Sequence, residues 1–377
     1  MPRTKSARPW LVRDAGFGWP ARPDRGRIRA RSPGDVADPD RVIGTSGAFV
    51  RLPSVRVLIV KTSSMGDIVH ALPMVSDIAR AFPHARIDWV VEESFADIPQ
   101  MHPAVTRVFP IALRRWRRRP FAIESWRQLL AARRALREQR YHTIIDCQGL
   151  LKSALVAASA RGPVVGPTRG SAREPLAAFF YRRRIAIDQG LHAVDRNRRI
   201  GAAALEYPLD APERFGVRER ASQMRAAPPF GEEGAMLLLT NASRPSKHWP
   251  DDHWVALENA LARQGKQSWL AWGSESERQD CQRRAARMHA ARVLPRSTLG
   301  QIAALASKSA LVLGLDTGLT HLAAAVGAPT VGIFCDYDTT LVGLRGCGPV
   351  VSLGGVGQTP AVEQVLAAIA SIEAPAR

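Results

Sequence analysis

The 377-residue chain is long enough for two domains, and 46% of its residues are hydrophobic, so it can bury a large core. Lysine and arginine outnumber aspartate and glutamate by 53 to 34, and the net charge of +19 favours an anionic partner such as nucleic acid, a phosphorylated ligand or an acidic membrane surface. We predict no membrane-spanning helix, because no apolar run approaches eighteen residues. The four cysteines form no CxxC pair and no zinc spacing, which is typical of reduced cysteines in a cytosolic protein.

Residues 1–54 differ from the rest of the chain. They are rich in Arg, Pro, Gly and Asp and lack apolar periodicity, which predicts a disordered extension. A start codon assigned too far upstream is an equally good interpretation. We therefore expect no function from this segment.

From residue 55 onward, strand-like runs alternate with helical stretches. RVLIVK, ARIDWVVEE, TRVFPIAL and YHTIIDCQGL are each followed by a helical pattern. After a Pro- and Gly-containing linker near residues 223–234, the alternation resumes with AMLLLTNA, QSWLAWG, ALVLGLD and APTVGIFC. This pattern predicts an α/β protein with two Rossmann-like domains, residues 55–225 and 235–377, whose parallel sheets face a central cleft. The final helix is expected to pack back on the first domain.

The loop after the first strand, KTSSMGD, ends in Asp67 and leads into a helix. Its small residues allow a ligand to approach closely, and the helix offers free backbone N–H groups. Asp67 or Ser64 could instead cap that helix. The loop has neither a Walker A ending nor a GxGxxG pattern, which argues against a dinucleotide-binding dehydrogenase.

A second loop of the same kind follows ALVLGLD, where Asp316-Thr317-Gly318 runs directly into a helix. Several N–H donors at one point suit a pyrophosphate, whereas the carboxylate of Asp316 would cap the helix or orient its amides. His321 lies one turn into the helix. It is either a phosphate donor or a hydrogen-bonded interior histidine.

Two further loops complete a nucleotide-binding pattern in the second domain. Lys247 lies between a strand and a helix, where it could neutralise a leaving phosphate, although a solvated surface lysine is the alternative. Glu275 and Glu277 follow QSWLAWG, and an acidic residue after such a strand can hold a ribose diol.

A basic run, RRWRRR at residues 114–119, belongs to the first domain, and more arginines follow as far as Arg140. Arg173 and the run 182–184 flank the apolar-aromatic stretch LAAFFY. These residues could bind nucleic acid, or they could hold a polyanionic acceptor while apolar-basic stretches rest on an anionic membrane. A solvated helical face is a further explanation for residues 127–140.

Seven motifs together resemble the type I lipopolysaccharide heptosyltransferases of glycosyltransferase family 9. In chain order they are KTSSMGDIVHALP, WVVEESFADIP, RRWRR, IIDCQGLLKSAL, AREPLAAFFY, KHWP and LGLDTGLTHLAAA. The resemblance runs from about Val55 to the C-terminus, and the KTSSMGD form separates this group from the type II enzymes.

The resemblance implies a GT-B glycosyltransferase that inverts the anomeric centre without a metal or other cofactor. The implied donor is ADP-L-glycero-β-D-manno-heptose. The implied acceptor is the Kdo sugar of Kdo-lipid A on the cytoplasmic side of the bacterial inner membrane. We therefore expect a monomer in peripheral contact with that membrane and no nucleic-acid partner. The alternatives are another heptosyltransferase of the same fold, of type II or III, or a basic nucleic-acid-binding protein.

The resemblance also assigns roles to residues. Asp67 is the expected general base, with a pKa raised by burial in the closed cleft, and Lys247 is expected to stabilise the diphosphate. The expected donor-binding residues are Ser63, Ser64, Gly66, Ala242, Ser243, Lys247, Glu277, Asp316, Thr317, Gly318 and His321. The expected acceptor-binding residues are Lys61, Arg114, Arg115, Arg117 and Arg173.

The sequence departs from the family at a few donor-side positions. Ala242 replaces a common Thr, for which Ser243 could substitute, and Ser297 stands where a Met can contact the adenine. These departures bear on the nucleotide contacts rather than on the base, so the reaction type is better supported than the choice of donor.

Overall fold

The computed structural model describes residues 41–43, 49–51, 55–118, 121–225 and 235–373. The chain divides into two units, Met1–Pro53 and Ser54–Arg377. In the first unit, strands β1 (Arg41–Ile43) and β2 (Phe49–Arg51) pair in antiparallel fashion where we predicted no regular structure. Apolar residues on both sides of a Gly-Thr-Ser-Gly stretch are a hairpin signal that the prediction did not use. The rest of residues 1–54 lies outside the described residues.

The first half of the second unit contains a six-stranded parallel sheet. In space the order is β5-β4-β3-β6-β7-β8, which is the Rossmann order 3-2-1-4-5-6. The strands are β3 (Arg56–Val60), β4 (Arg86–Glu92), β5 (Val105–Ile111), β6 (Thr143–Asp146), β7 (Val164–Pro167) and β8 (Arg183–Ile185).

Eight α-helices and two 3-10 helices belong to the described part of this half. The α-helices are α1 (Met65–Val69), α2 (Leu72–Ala81), α3 (Asp97–Gln100), α4 (Leu113–Arg118), α5 (Ile123–Arg137), α6 (Leu151–Ser159), α7 (Ala193–Leu205) and α8 (Arg218–Gln223). The 3-10 helices are Glu93–Phe95 and Pro175–Phe180. The single helix that we predicted after β3 is two helices, because Pro73 in the first turn of α2 cannot donate a backbone hydrogen bond.

The second half repeats the same topology, with the spatial order β11-β10-β9-β12-β13-β14 and parallel pairing throughout. The strands are β9 (Met236–Leu239), β10 (Ser268–Leu270), β11 (Ala291–Val293), β12 (Leu311–Leu315), β13 (Thr330–Phe334) and β14 (Val350–Gly354). The helices are the 3-10 helix Pro245–Lys247, α9 (Asp251–Ala262), α10 (Glu275–Ala285), α11 (Leu299–Lys308), α12 (Gly318–Ala325), α13 (Thr339–Val342) and α14 (Val362–Glu373). The predicted α/β fold with two Rossmann-like sheets is confirmed.

Alternate residues of each central strand contribute to different cores, as a strand buried on both faces requires. In β3, Leu58 and Val60 face a cluster confined to the first half, whereas Val57 and Ile59 belong to a cluster that also contains Leu237 of β9. The two sheets therefore share one continuous apolar layer between them, and this layer holds the halves together.

The ends of the chain's two halves pack differently from the prediction. Helix α14 buries Val365, Ala368 and Ile369 in the outer core of the second half, so the predicted return of the final helix to the first half is wrong. It is α8 instead that crosses over, and its Ala221 lies in the shared core with Leu305 of α11. Residues 226–234 of the predicted linker lie outside the described residues. None of the helices in the described parts of the chain is long and apolar enough to cross a bilayer.

Candidate active site

Both sheets reverse their strand order between the first and fourth strands in sequence, at β3 and β6 in one half and at β9 and β12 in the other. Open parallel sheets bind ligands outside the carboxyl ends of the strands at such a switch point. The loops that we singled out after β3, β9 and β12 all lie there. The topology thus brings the candidate residues of each half to one edge of its sheet.

Asp67 is both a helix-capping residue and one partner of an ion pair. Its Oδ2 accepts hydrogen bonds from the backbone N and the Oγ of Ser64, each at 3.0 Å, at the start of α1. The guanidinium of Arg173 donates to both carboxylate oxygens, with Nη2 2.6 Å from Oδ1 and Nη1 3.2 Å from Oδ2. The Asp67 side chain is 16% exposed, and the residue lines a cavity.

The charges around Asp67 decide its protonation. Burial raises the pKa of this carboxyl, but the positive charges of Lys61 and Arg173, with hydrogen bonds from Arg173 and Ser64, outweigh burial and hold the pKa well below its usual range. The predicted rise in the pKa is therefore wrong for this structure. Two cations flank the carboxylate, and their attraction for its charge exceeds the cost of desolvation.

A polar cavity of ≈ 60 Å³ lies beside Asp67. Its lining includes the cations Lys61, Arg173 and Arg196. Buried Lys61 lies directly after β3, lines the cavity and donates to the carbonyl oxygen of Cys147 at 2.8 Å. Three cations and one carboxylate line the cavity, so its positive charge is not balanced. A second anionic group would be attracted to the same cavity.

The loop after β6 supports the loop after β3. Gln148 accepts from the backbone N and the hydroxyl of Thr62, each at 2.7 Å, and donates to the Oγ of Ser63 at 3.2 Å. Asp146 in turn accepts from the backbone N of Gln148 at 2.9 Å and from the hydroxyls of Ser153 and Tyr181. Burial raises the pKa of Asp146, so this buried carboxyl is a structural support for the loop.

The first-half loop and the second-half loop meet at the cleft. A Cβ built on Gly318 would lie 2.4 Å from the Cβ of Met65, and one built on Gly66 would lie 3.3 Å from the ring of His321. A Cβ at position 318 would overlap Met65, and one at position 66 would make a tight contact with His321, so glycine at both positions favours the close approach of α1 and α12. The sequence predicted two separate ligand loops, and the structure joins them into one site.

A chain of polar side chains crosses between the halves beneath this contact. The Nε2 of His70 lies 3.2 Å from the Nδ1 of His321, and the Nε2 of His321 lies 3.3 Å from the Oδ1 of Asp316. Burial, together with the charge of His321, lowers the pKa of His70, so His70 is neutral. His321 is buried, as an interior histidine would be, yet it lies at the start of α12.

Lys247 binds Asp316 rather than lying free in solvent. Its Nζ donates to Asp316 Oδ2 at 2.6 Å and to the backbone oxygen of Asp316 at 3.1 Å, and it lies 4.4 Å from the centre of the Tyr337 ring. Burial acts to raise the pKa of Asp316, but the hydrogen bonds from His321 and Lys247 outweigh burial. The pKa of Asp316 is therefore lowered from its ordinary value. Lys247 is thus held near the N-terminus of α12 by its bonds to Asp316, which directly precedes Thr317 and Gly318.

The other donor-side candidates lie at neighbouring strand ends. Glu277 is part of a capping box, in which its Oε2 accepts from the backbone N of Gly273 at 2.7 Å and of Ser274 at 3.0 Å. The carbonyl oxygen of Ala242 lies 2.9 Å from the Nε2 of His248, and Ser243 is exposed. These residues follow β9 and β10, so they border the site without touching Asp67.

The arginines of α4 are separated from the cavity. Arg115 forms an ion pair with Glu93 at 3.1 Å, and the guanidinium of Arg114 lies 5.3 Å from the centre of the Phe95 ring. Arg117 is exposed. Among the predicted acceptor residues, the structure brings Lys61 and Arg173 to Asp67, while the three arginines of α4 do not line the cavity.

Several residues of the site were not predicted, among them two polar residues of α7 and two within the quoted motifs. Arg196 and Asn197 line the cavity from α7, a helix that the sequence interpretation did not identify. His70 and Gln148 lie inside motifs that we did quote, KTSSMGDIVHALP and IIDCQGLLKSAL. Both are polar residues within otherwise apolar patterns, and this was the signal that could have identified them as site residues. Among the described residues, no group of three or more His, Cys, Asp or Glu side chains could hold a metal ion.

Comparisons with known proteins identify the family to which this sequence is similar. Residues 129–354 match glycosyltransferase family 9 (heptosyltransferase). The chain is 42% identical over 299 residues to lipopolysaccharide heptosyltransferase 1 of Pseudomonas aeruginosa, covering 77% of this chain and 81% of the relative.

Two solved structures of the heptosyltransferase WaaC from Escherichia coli are similar to this chain. The structure with ADP has a TM-score of 0.78 and 36% sequence identity, and the match covers 84% of this chain and 99% of that one. The structure with ADP-2-deoxy-2-fluoro heptose has a TM-score of 0.72 and 35% identity, covering 84% and 98% of the two chains.

Proposed function

The chain belongs to glycosyltransferase family 9, the heptosyltransferases, and from this premise we propose that it transfers heptose from ADP-L-glycero-β-D-manno-heptose to the Kdo sugar of Kdo-lipid A in lipopolysaccharide core biosynthesis. One observation carries the proposal. The loop that bears Asp67 contacts the start of α12. The proposed general base of one half therefore lies close to the helix of the other half that we assign to the diphosphate. A donor in the second half would present its anomeric carbon to an acceptor in the first.

We assign the donor diphosphate to the N-terminus of α12. The first-turn amides of this helix have no acceptor within it, and the helix dipole favours an anion there. Lys247 lies beside this point and would exchange part of its bond with Asp316 for the diphosphate. That the solved E. coli relatives carry ADP and an ADP-heptose analogue supports this choice of donor.

The transfer inverts the anomeric centre, with Asp67 as the general base. A base must accept the proton of the acceptor hydroxyl as that oxygen attacks the anomeric carbon, while Lys247 stabilises the charge on the departing diphosphate. Asp67 lines the cavity of the first half, and its side chain is partly exposed. Glu277 would hold the ribose diol through the carboxylate oxygen that capping leaves free.

The ion pair between Asp67 and Arg173 makes base strength depend on the acceptor. While Arg173 donates to both oxygens, Asp67 is a weak base. An acceptor carboxylate in the adjoining cavity would offer Arg173 and Arg196 another anion. As Arg173 turns toward that anion, the pKa of Asp67 rises, and the base becomes stronger when its substrate is present.

The protein acts as a monomer on the cytoplasmic side of the inner membrane, where a Kdo-lipid A acceptor is anchored. Charge on the leaving group is balanced by Lys247 and the α12 amides, so transfer is expected to persist in EDTA.

The test is to incubate the purified protein with ADP-heptose and Kdo-lipid A, with and without EDTA, and to measure the acceptor mass. We expect a gain of one heptose in both samples. A parallel sample with ADP-mannose measures donor selectivity, and an acceptor that already carries one heptose tests for type II activity. Product with that acceptor alone, or no product without added metal, would overturn the corresponding part of the proposal.

A further inference from the structure

Large apolar side chains on the described surface are concentrated in one layer of helices. Twelve such side chains are exposed, and nine of them lie on or beside α5, α6 and the 3-10 helix Pro175–Phe180. The nine are Phe121, Ile123, Trp126, Leu129, Leu130, Leu155, Leu176, Phe179 and Phe180. All three helices pack over the outer core of the first sheet, so their outer surfaces face the same way. Scattered exposed apolar residues are ordinary, whereas a concentration of this kind marks an interaction surface.

Helix α5 shows the arrangement most clearly. Its inward side buries Ser125 and Leu136. Ile123, Trp126 and Leu130, spaced by three and four residues, form a stripe on the outward side and are 72%, 57% and 59% exposed. An amphipathic helix with a second apolar stripe facing solvent is typical of a helix that lies in a membrane interface.

The same layer is strongly basic. Residues 113–140 contain ten arginines and two glutamates, an excess of eight positive charges. Arg127, Arg133 and Arg134 are exposed, and none of them forms an ion pair with another described residue. The guanidinium of Arg169 lies 4.4 Å from the centre of the Phe179 ring, so a cation packs on one of the exposed aromatic side chains of this surface.

The apolar layer begins at the rim of the candidate active site. The 3-10 helix Pro175–Phe180 starts two residues after Arg173, whose guanidinium binds Asp67. Helix α4 follows directly from the carboxyl end of β5, at the edge of the sheet where the site lies. A surface that held this layer would therefore lie beside the cavity of the acceptor half.

We propose that the outer surface of α4, α5, α6 and the 3-10 helix Pro175–Phe180, here termed the docking face, seats the protein on an anionic phospholipid bilayer. The apolar side chains enter the boundary between headgroups and acyl chains, and the arginines bind the phosphates. An acceptor anchored in that bilayer then reaches Asp67 while its acyl chains stay in the membrane. The role of the acceptor in this inference rests on the proposed function, but the binding of lipid does not.

Other partners fit the docking face less well. Nucleic acid would use the arginines but not the exposed Ile, Leu and Phe side chains, since phosphate contacts and base stacking supply its affinity. A second copy of the chain would oppose two arginine-rich surfaces and repel. A bilayer with anionic headgroups satisfies both the charge and the apolar area.

The first experiment measures cosedimentation of the full chain with vesicles. Vesicles of phosphatidylcholine alone are compared with vesicles that contain phosphatidylglycerol as well. We expect preferential binding to the anionic vesicles, weakened at least tenfold in a variant with Ile123→Ser, Trp126→Ser and Leu130→Ser. The matched control is Val356→Ser, an exposed apolar residue of the second half, which should bind as the unmodified protein does. A second variant, with Arg127→Gln, Arg133→Gln and Arg134→Gln, should lose most of the preference for anionic lipid.

The second experiment separates docking from catalysis. Transfer is measured with a deacylated, soluble acceptor and with the acylated acceptor in anionic vesicles. The Ile123, Trp126 and Leu130 variant should retain turnover on the soluble acceptor and lose at least tenfold in kcat/KM on the vesicles. Turnover with neither acceptor, but intact vesicle binding, would refute the proposed function and leave the docking face in place.

Three results would overturn the docking face. One is that the unmodified protein does not bind anionic vesicles. Another is that the apolar variant binds them as tightly as the unmodified protein does. The third is that the variant instead abolishes self-association in sedimentation velocity or binding to duplex DNA, with vesicle binding unchanged.

Discussion

At the scale of single residues, the contacts of Asp67 bear on whether it caps a helix or serves as a base. One oxygen accepts the hydrogen bonds of the capping box, both oxygens bind Arg173, and the residue still lines the cavity. Capping and catalysis are therefore compatible, because the cap fixes the orientation that a base needs. The low pKa follows from its partners and not from the loop itself.

The first prediction concerns the pH dependence of transfer. The folded-state pKa of Asp67 is lowered, so the base stays ionised as pH falls, down to that lowered value. Arg173→Ala removes one of the charges that lower the pKa. We expect the acid limb of kcat/KM to move to higher pH, by about one to three units, the range for removing one close opposite charge. Acceptor KM should rise while the Kd for ADP stays unchanged.

Arg214→Ala is the matched control, because Arg214 is an exposed arginine of the same half that does not line the cavity. An acid limb that stays in place in Arg173→Ala would show that Arg173 does not control the ionisation of Asp67.

The sequence indicated residue types well and residue environments poorly. Asp67, Lys61 and Lys247 were identified from their loops. The direction of the Asp67 pKa shift was not, because it depends on Arg173, which lies 106 positions away in the chain. Arg196 was missed because its helix, α7, was not recognised. A loop motif predicts which side chain lies in the site. The pKa of that side chain depends on neighbouring charges that only folding brings close to it.

At the scale of elements, the contact between α1 and α12 is the feature that builds the site. Each helix starts at the switch point of its own sheet, and glycines at positions 66 and 318 let the two starts approach. Continuous apolar runs predicted β3, β4, β5 and β6 in the first half and β9, β10, β12 and β13 in the second. Strands β7, β8, β11 and β14 were missed. Strands β8 and β11 have only three residues each, with exposed positions that break the pattern, and β7 has four residues and ends in Gly-Pro.

The second prediction tests that helix contact. Gly318→Ala places a Cβ 2.4 Å from the Cβ of Met65, an overlap that requires the two helices to separate. We expect the free energy of unfolding to fall by about 1–3 kcal/mol, the usual cost of overpacking, and transfer activity to fall with it. Chemical denaturation and initial-rate assays measure the two effects.

Gly170→Ala provides the comparison, because no atom lies within 4 Å of a Cβ built at that exposed glycine. It should leave both stability and rate unchanged. Equal behaviour of the two variants would mean that the close approach of α1 and α12 is not required.

At the scale of the whole molecule, the two halves are joined by a shared apolar layer as well as by the chain. Val57 and Ile59 of β3 belong to the same core as Leu237 of β9, and α8 packs on α11 across the boundary. Sequence periodicity predicted that these residues are buried but could not name their partners. For the same reason, the position predicted for the final helix was wrong.

The third prediction concerns residues 1–53, which form a unit separate from Ser54–Arg377. Every residue assigned a role in transfer lies in the second unit. A variant that begins at Ser54 should therefore keep its kcat/KM within about twofold, as expected of changes remote from a site. A loss of tenfold or more, in a variant that melts at the same temperature, would assign these residues a role in catalysis.

The most direct measurement is product formation by Asp67→Asn with ADP-heptose and Kdo-lipid A, together with ADP binding by calorimetry. Asparagine can keep the capping hydrogen bonds but cannot take the proton. We expect the rate of heptose addition to fall by about 10²–10⁴-fold, the usual contribution of a general base, with the Kd for ADP unchanged. A rate close to that of the unmodified protein would contradict the assignment of Asp67 as the base, and with it the account of how the two halves cooperate.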